Sequence, residues 1–500
     1  MNEPNENAKS ILCKRYYHRG AGHEGEACEW GTLHCPGNHE SHDEFLHRAS
    51  LYNYKYYTSL IAPGYFLPNS PTLFNLPCRV CDETEVHGTL SACFKFDIPD
   101  TMDGILEVHR LSALVQKWGG GVGFYLGLLR PEGSLISTTH AAACGPVRVI
   151  KHLHSLGLNL ITQGGRRPAA QMAILPASHP DIEQFIHLKD NNPELLSTFN
   201  LSVSITDEDI EERPYLLRAM AESAWQSGDP GCYFVDRAEA NNPTPEFGEL
   251  SGTNPCGEAP LLDRESCNLG SINLVLVPPT LRGAVARLCT EYLDDIQDIN
   301  RFPDPSIAEA VQRTRKLGLG VMGWADHLAQ QEIHYDSDEA LDEAVKVMGE
   351  IQAASHAVSI ERGEIHGTVG TTGRRNATCT SVAPTGSISL LAGVSSGIEP
   401  HFAHEWDRIM ADGTVLKESA KSGVFVPQVS HDIPWEAHVE MQSAFQSVTD
   451  MAVSKTINMN ESATVEQIEQ AYARMWQKGC TGGTIYRDKS REIQVLNTGG

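Results

Sequence analysis

The chain has 500 residues, 41% apolar and 21% charged, with a formal charge of −25. That length suits one large α/β domain or two to three ordinary ones. The acidity argues against an extended nucleic-acid surface, no apolar run is long enough to span a bilayer, and "MNEPNENAKS" carries no signal-peptide pattern.

Residues 1–43 read as irregular and rich in His, Cys and Gly. "DEFLHRASLYNYKYYTSLI" (43–61) reads as a helix with an aromatic face, and "FLPNSPTLFN" (66–75) as a hydroxyl-bearing loop with Ser70 and Thr72. "LPCRVCDETEVHG" sets Cys78 and Cys81 as a C-x-x-C pair; with Cys13, Cys28 and Cys35 it suggests either a structural zinc or plain thiols. "TMDGILEVHRLSALVQKWG" (101–119) predicts a helix capped by Thr101 and stopped by glycine. The β-like runs "VGFYLGLL", "QMAIL", "LSVSI", "CYFV" and "SINLVLV" follow, interleaved with helical stretches at 145–162, 180–189, 206–228, 305–332 and 338–362. A last helix, 464–479, runs into "GCTGGTIYRD". Alternating strand and helix signals mean an α/β architecture with mainly parallel pairing. Thirteen scattered cysteines, an odd number, fit a reducing cytoplasm better than a secreted disulfide framework.

The chemistry concentrates in "SGTNPCGEAP" (251–260), where Asn254, Cys256 and Glu258 stand at every second position. An extended segment points such residues to one side, whereas a helix would spread them. Pro255 keeps Asn254 out of the helical region, and Gly257 allows close backbone approach. A carboxylate beside a thiol disfavours the thiolate, so Cys256 is not a typical ionic nucleophile. A neutral S–H suits hydrogen-atom transfer, with Glu258 taking a proton from a hydroxyl and Asn254 holding another, as on a vicinal diol such as ribose. The alternative is a small residue buried in a loop.

"HGTLSACFKF" and "RESCNLGSINL" place Cys93 and Cys267 beside β-like runs, where adjacent strands would make them a two-electron dithiol; spacing leaves other pairings open. "APTGSISLLAGVSSG" (383–397) puts Thr385, Gly386, Ser387 and Ser389 where a helix could receive a phosphate. "ITQGGRRPAAQMAIL" (161–175) is a glycine-rich loop with Arg166 and Arg167, suited to sensing a nucleotide or to a solvated turn.

Taken together, "NSPTLFN", "LSACF", "GGGVGFYLGLLRPEG", "QGGRRPAAQMAILPASHPDIEQFI", "NPCGE", "SCNLGSINL", "APTGSISLLAGVSSGIEP" and "GGTIYRDKSREIQVL" resemble, in chain order, the ribonucleotide reductases. The resemblance implies a ten-stranded α/β barrel of two parallel five-stranded halves, with "NPCGE" at the tip of a central finger loop. It implies that Cys256 is the thiyl-radical cysteine, Glu258 the base at the 3′-hydroxyl, Asn254 a ligand of the sugar hydroxyls, and Cys93 with Cys267 the reducing pair. Ser70, Thr72, Ser91, Ala92, Thr385, Gly386, Ser387 and Ile388 would hold the substrate. Gln163, Gly164, Gly165, Arg166, Arg167 and Gln171 would carry the signal of a nucleotide effector.

The motifs look like the adenosylcobalamin-dependent branch, in which homolysis of the cobalt–carbon bond yields the radical that oxidises Cys256. The oxygen-dependent branch, the alternative, takes its radical from a metal-bearing small subunit through two adjacent tyrosines; one tyrosine, Tyr486, stands in "TIYRD". The resemblance further implies a ribonucleotide substrate and a thioredoxin- or glutaredoxin-type reductant; it leaves monomer and homodimer both open, the homodimer following if the helices 101–118 and 145–162 form a shared effector site. No metal ligand, membrane or nucleic-acid partner is expected in the catalytic site. The expected layout is an irregular and helical segment over 1–60, the catalytic barrel over 61–495, and an end at 496–500 without a cysteine tail. On/off control by an N-terminal ATP cone is not expected.

Overall fold

Five buried runs form one half of a sheet. In this computed structural model they are β2 (Cys93–Asp97), β3 (Gly121–Tyr125), β4 (Gln171–Pro176), β5 (Phe199–Ile205) and β6 (Gly231–Phe234), all paired in parallel in that order. The structure describes residues 42–77, 85–86, 88–162, 168–192, 195–409, 415–420 and 425–490, with short pieces at 5, 7–8, 12 and 496–497. Helices Met102–Lys117, Gly145–Leu156, Ile182–Ile186 and Tyr215–Ser227 lie in the crossovers, as parallel neighbours require.

The second half contains β9 (Ser266–Asn273) and β10 (Leu317–Met322), also parallel, then β13 (Thr456–Met459) and β14 (Gly482–Arg487), parallel again. Parallel bridges Leu319↔Thr380 and Val382↔Val453 fill the gap between β10 and the run that enters β13. The halves meet antiparallel at two seams, β2 with β9 and β6 with β14. The ring therefore closes as a barrel of two five-stranded parallel halves, which is the expected fold. Short β1 (Phe66–Pro68) adds antiparallel to the far end of β9. A hairpin of β11 (Glu405–Ile409) and β12 (Val415–Ser419) stands apart and pairs with β15 (Leu496–Asn497).

Every residue of β9 and β10 is buried. Strands covered on both faces read as continuous apolar or small-residue runs and not as alternation. One apolar core lies under the helices Arg282–Ile299 and Asp338–His366, and a second under Met102–Lys117, Tyr215–Ser227 and Val465–Gln477. A third, small cluster joins Ala92, Cys93, Ala259, Leu261, Cys267, Leu269 and Met451.

Several boundaries differ from expectation. The stretch 305–332 is two helices, Pro305–Thr314 and Trp324–Gln330, with β10 between them; a short apolar run has no period of its own to separate buried strand from helix. The stretch 206–228 is two helices broken at Pro214, and 43–61 is interrupted where Leu51 and Tyr52 turn left-handed. "SINLVLV" begins inside β9, which ends at Asn273. Helix Gly145–Leu156 continues into a wider turn over Gly157–Ile161. Cys13, Cys28, Cys35, Cys78, Cys81, Gln163, Gly164, Gly165, Arg166 and Arg167 lie outside the described residues. Among the described residues no helix is long and apolar enough to cross a membrane.

Candidate active site

The segment between β6 and β9 turns back on itself. Two-residue strands β7 (Gly252–Thr253) and β8 (Pro260–Leu261) pair antiparallel, and Asn254–Ala259 form the tip. Gly257 takes φ +79°, and the Asn254 Oδ1 accepts the Ala259 N–H at 2.9 Å, closing the turn with its own side chain. Gly123 of β3 makes room for this finger: a Cβ there would stand 1.8 Å from the Thr253 carbonyl oxygen.

Both half-barrels brace the tip. From the first, Asn200 Nδ2 donates to the Pro255 carbonyl at 3.1 Å. From the second, Ala452 N–H and Ser381 Oγ donate to the Glu258 carbonyl at 3.0 and 2.9 Å. At the base, the buried Lys95 ammonium donates to Ser251 Oγ at 2.6 Å.

The three residues of the tip sit in different environments. Asn254 and Glu258 are buried, whereas Cys256 is exposed. Glu258 Oε2 and Asn254 Nδ2 are buried without a hydrogen-bond partner in the protein. Such groups are costly to leave unmade, so polar atoms of a ligand are their natural complement. Burial raises the Glu258 carboxyl to about 7, with the Asn254 amide and its own backbone N–H opposing the rise. At neutral pH it therefore both takes and gives a proton.

Cys93 and Cys267 face each other across the β2/β9 seam as a direct register pair. Antiparallel partners of this kind have Cα atoms about 4.5–5.5 Å apart, within disulfide range. Both carry thiols here. Burial pushes the Cys267 thiol well above its usual range; Cys93 and Glu258 push it further and Lys316 opposes them. The finger carboxyl and the dithiol thus share one electrostatic neighbourhood.

The expected substrate residues separate into two groups. Thr72 is fully buried and its hydroxyl donates to the Leu90 carbonyl at 2.9 Å, while Ser91 Oγ receives Asn300 Nδ2 at 2.8 Å and the Ser266 hydroxyl at 3.0 Å. These two hydroxyls brace the wall beside Ala92, which is also buried. Ser70 opens the helix Ser70–Asn75 and is half-buried. Thr385, left-handed at φ +56°, precedes the helix Gly386–Ala392 and accepts the Gly397 N–H at 2.7 Å. Gly386 is exposed with open space at its Cβ position; Ser387 is half-buried and Ile388 buried. A cavity of about 410 Å3 opens beside Gly386, walled by Pro384, Glu399, His401, Phe402 and Trp406. Of these walls, His401, Phe402 and Trp406 carry no spacing that marks them as site residues in the sequence. Gln171 begins β4, buried, and donates to Thr198 Oγ1 at 3.0 Å.

The room over the tip bears on the radical source. Cys256 is its exposed side chain, and a Cβ at Gly257 would meet nothing within 4 Å. Tyr486 lies on β14 between Ile485 and Arg487, with no tyrosine neighbour in sequence.

Fold and site define a barrel enzyme whose polar tip stands on a central finger beside a cross-strand dithiol. The sequence profile of "Ribonucleotide reductase, barrel domain" matches residues 91–213, 212–371, 365–429 and 423–486. The chain belongs to the ribonucleotide reductase family. It is 38% identical, over 87% of its length, to the vitamin B12-dependent ribonucleoside-diphosphate reductase of Thermoplasma acidophilum, of which it spans 65%. It is 37% identical, again over 87%, to that of Mycobacterium tuberculosis (strain CDC 1551 / Oshkosh), of which it spans 72%. The Actinobacillus ureae class Id ribonucleotide reductase alpha subunit has the same fold, with a TM-score of 0.78 at 21% identity over 98% of this chain and 99% of that one.

Proposed function

We propose that the chain is an adenosylcobalamin-dependent ribonucleotide reductase, converting ribonucleotides to 2′-deoxyribonucleotides as DNA precursors in the cytoplasm. The observation that carries this reading is the finger tip itself: Asn254, Cys256 and Glu258 braced by both half-barrels beside the Cys93/Cys267 pair. Adenosylcobalamin, when bound, would supply the radical that oxidises Cys256, the exposed side chain of the tip.

The remaining steps belong to the chain's own residues. The Cys256 thiyl takes the ribose 3′ hydrogen. Glu258 accepts the 3′-hydroxyl proton, for which a carboxyl near 7 is well matched. Asn254 Nδ2 holds the sugar hydroxyls. Cys93 and Cys267 supply two electrons and two protons, the 2′-hydroxyl leaves as water, and a disulfide forms. Cys256 then returns the hydrogen to the 3′ carbon. A thioredoxin- or glutaredoxin-type dithiol restores the thiols.

Ser70, Thr72, Ser91, Ala92, Thr385, Gly386, Ser387 and Ile388 form the substrate cradle, with the Gly386 backbone and the Ser387 side chain as its open part. The loop running from Gln163 to Gln171 transmits effector identity, and helices Met102–Lys117 and Gly145–Leu156 supply a homodimer face. The catalytic unit spans 61–495. The names of the Thermoplasma and Mycobacterium relatives support a diphosphate substrate.

Incubating the purified chain with adenosylcobalamin, a ribonucleoside diphosphate and a dithiol tests the proposal; deoxynucleotide is the expected product. Product only after a metal-bearing second subunit is added would transfer the chain to the oxygen-dependent branch. Electron paramagnetic resonance under turnover would show the Cys256 radical directly, and its absence from Cys256→Ser is the control.

A further inference from the structure

The dithiol is asymmetric. Cys93 is 8% exposed and Cys267 is 0% exposed. On its other side β9 pairs with β10 in parallel, Asn268 opposite Leu317, so the residue before β10, Lys316, stands alongside Cys267. The order across the sheet is Cys93, Cys267, Lys316. Lys316 is 1% exposed and forms a 2.7 Å ion pair with fully buried Glu265. Glu265 is fixed in turn by the Thr314 hydroxyl at 2.5 Å and by the Leu262 N–H, just after β8, at 2.7 Å. A buried cation is expensive unless it has a task or a partner; this one is held by its partner beside a sulfur.

Thiol–disulfide exchange depends on which sulfur can be reached and on how well the departing thiolate is stabilised. Accessibility selects Cys93 for attack, and the cation lies beside the sulfur that would then depart. Resting on the function proposed above, we propose that the reductant attacks Cys93 of the oxidised pair and that Cys267 leaves as a thiolate stabilised by Lys316, a positioning residue for the re-reduction half of the cycle. The reductant's thiolate forms a new S–S bond to Cys93 Sγ as the Cys93–Cys267 bond breaks, and the electron pair stays on Cys267. Its second thiol, deprotonated, then attacks its own sulfur in the mixed disulfide and releases Cys93. Cys93 and Cys267 each take up one proton, equal to the two the reductant lost, and the reductant ends as a disulfide. The groups that face Cys267 are Cys93, Glu258, Lys316 and Glu265, and of these only Lys316 favours its thiolate.

The test needs neither cobalamin nor substrate. The full chain is oxidised with diamide, remaining thiols are alkylated, and the disulfide is challenged with a thioredoxin-type protein whose second cysteine is serine. Peptide mapping is expected to find the trapped protein on Cys93. Reduction by dithiothreitol is expected to slow about tenfold in Lys316→Met, the rate equivalent of losing one adjacent cation, and to recover in Lys316→Arg. Thermal melts of both variants identify any that misfold. Trapping on Cys267, or parental reduction rates in a folded Lys316→Met, overturns the inference alone. Failure of Cys93 and Cys267 to form a disulfide overturns the dithiol assignment and the inference with it.

Discussion

Glu258 carries the clearest consequence at the scale of single residues. Folding raises its carboxyl from 4.5 to about 7 by burial, so the folded state holds the proton more tightly than the unfolded one. If it acts as the base of the proposed reaction it must be ionised, and kcat/KM is expected to climb with pH through a limb near 7. Glu258→Gln is expected to lose that limb and about 10²–10⁴-fold in rate, read from a pH profile. The stability effect has the opposite sign. The folded state is favoured by protonation, so stability falls as pH rises from 4.5 to about 7 and is level above. Glu258→Gln is therefore expected to gain up to about 3 kcal/mol at pH 8 in denaturant titration. A variant that loses activity while gaining stability separates a catalytic role from a structural one. Cys256→Ser is expected to abolish product while leaving the melting curve unchanged, since its side chain is exposed.

At the scale of elements, the finger depends on the strand behind it. Gly123→Ala would drive a Cβ into the Thr253 carbonyl. The expected cost is about 1–3 kcal/mol, with a loss of activity larger than the unfolded fraction explains, measured by denaturant titration alongside turnover. Cys93→Ser and Cys267→Ser are each expected to end multiple turnover with a dithiol, because either change leaves half of a register pair; sustained turnover in either would refute the pairing. The tip was legible in the sequence because Pro255 and Gly257 punctuate an alternation that only an extended segment makes useful. The seam was legible only in part: two cysteines beside β-like runs suggest a pair, but pairing across strands distant in sequence leaves no local mark. Lys316 and Glu265 were missed for the same reason. Each is a single polar residue whose partner is chosen by the register of β9 against β10, and β10 itself was hidden in a stretch read as helix.

Across the whole molecule, the second half-barrel is tied to its helices by a buried charge cluster. Asp294 receives Arg315 at 2.6 Å and Asn376 at 2.9 Å, and Arg362 bridges it to Asp295. These cations and the Asn376 amide hold the Asp294 carboxyl below its usual value against a burial that would raise it. Asp294→Ala is expected to cost up to about 3–5 kcal/mol, because the buried Arg315 would keep only the exposed Asp298, at 2.9 Å, and Arg362 would lose one of its two carboxylates. A second knot joins His356 to Asp450 at 2.8 Å, with Asp450 also capping the Cys379 N–H at 2.7 Å; the Arg374 guanidinium, 2.7 Å from His356 Nε2, already supplies the positive charge there.

The seam between β2 and β9 also has a mechanical meaning. It is one of only two places where the half-barrels are hydrogen-bonded strand to strand among the described residues, and it is where Cys93 faces Cys267. Each turnover would rivet the two halves together and each re-reduction would release them. A cross-link closing a loop of roughly 170 residues removes chain freedom equivalent to about 5 kcal/mol from the unfolded state. The spent catalyst would therefore be the sturdier form, and heat resistance alone would report how far a population has travelled round its cycle.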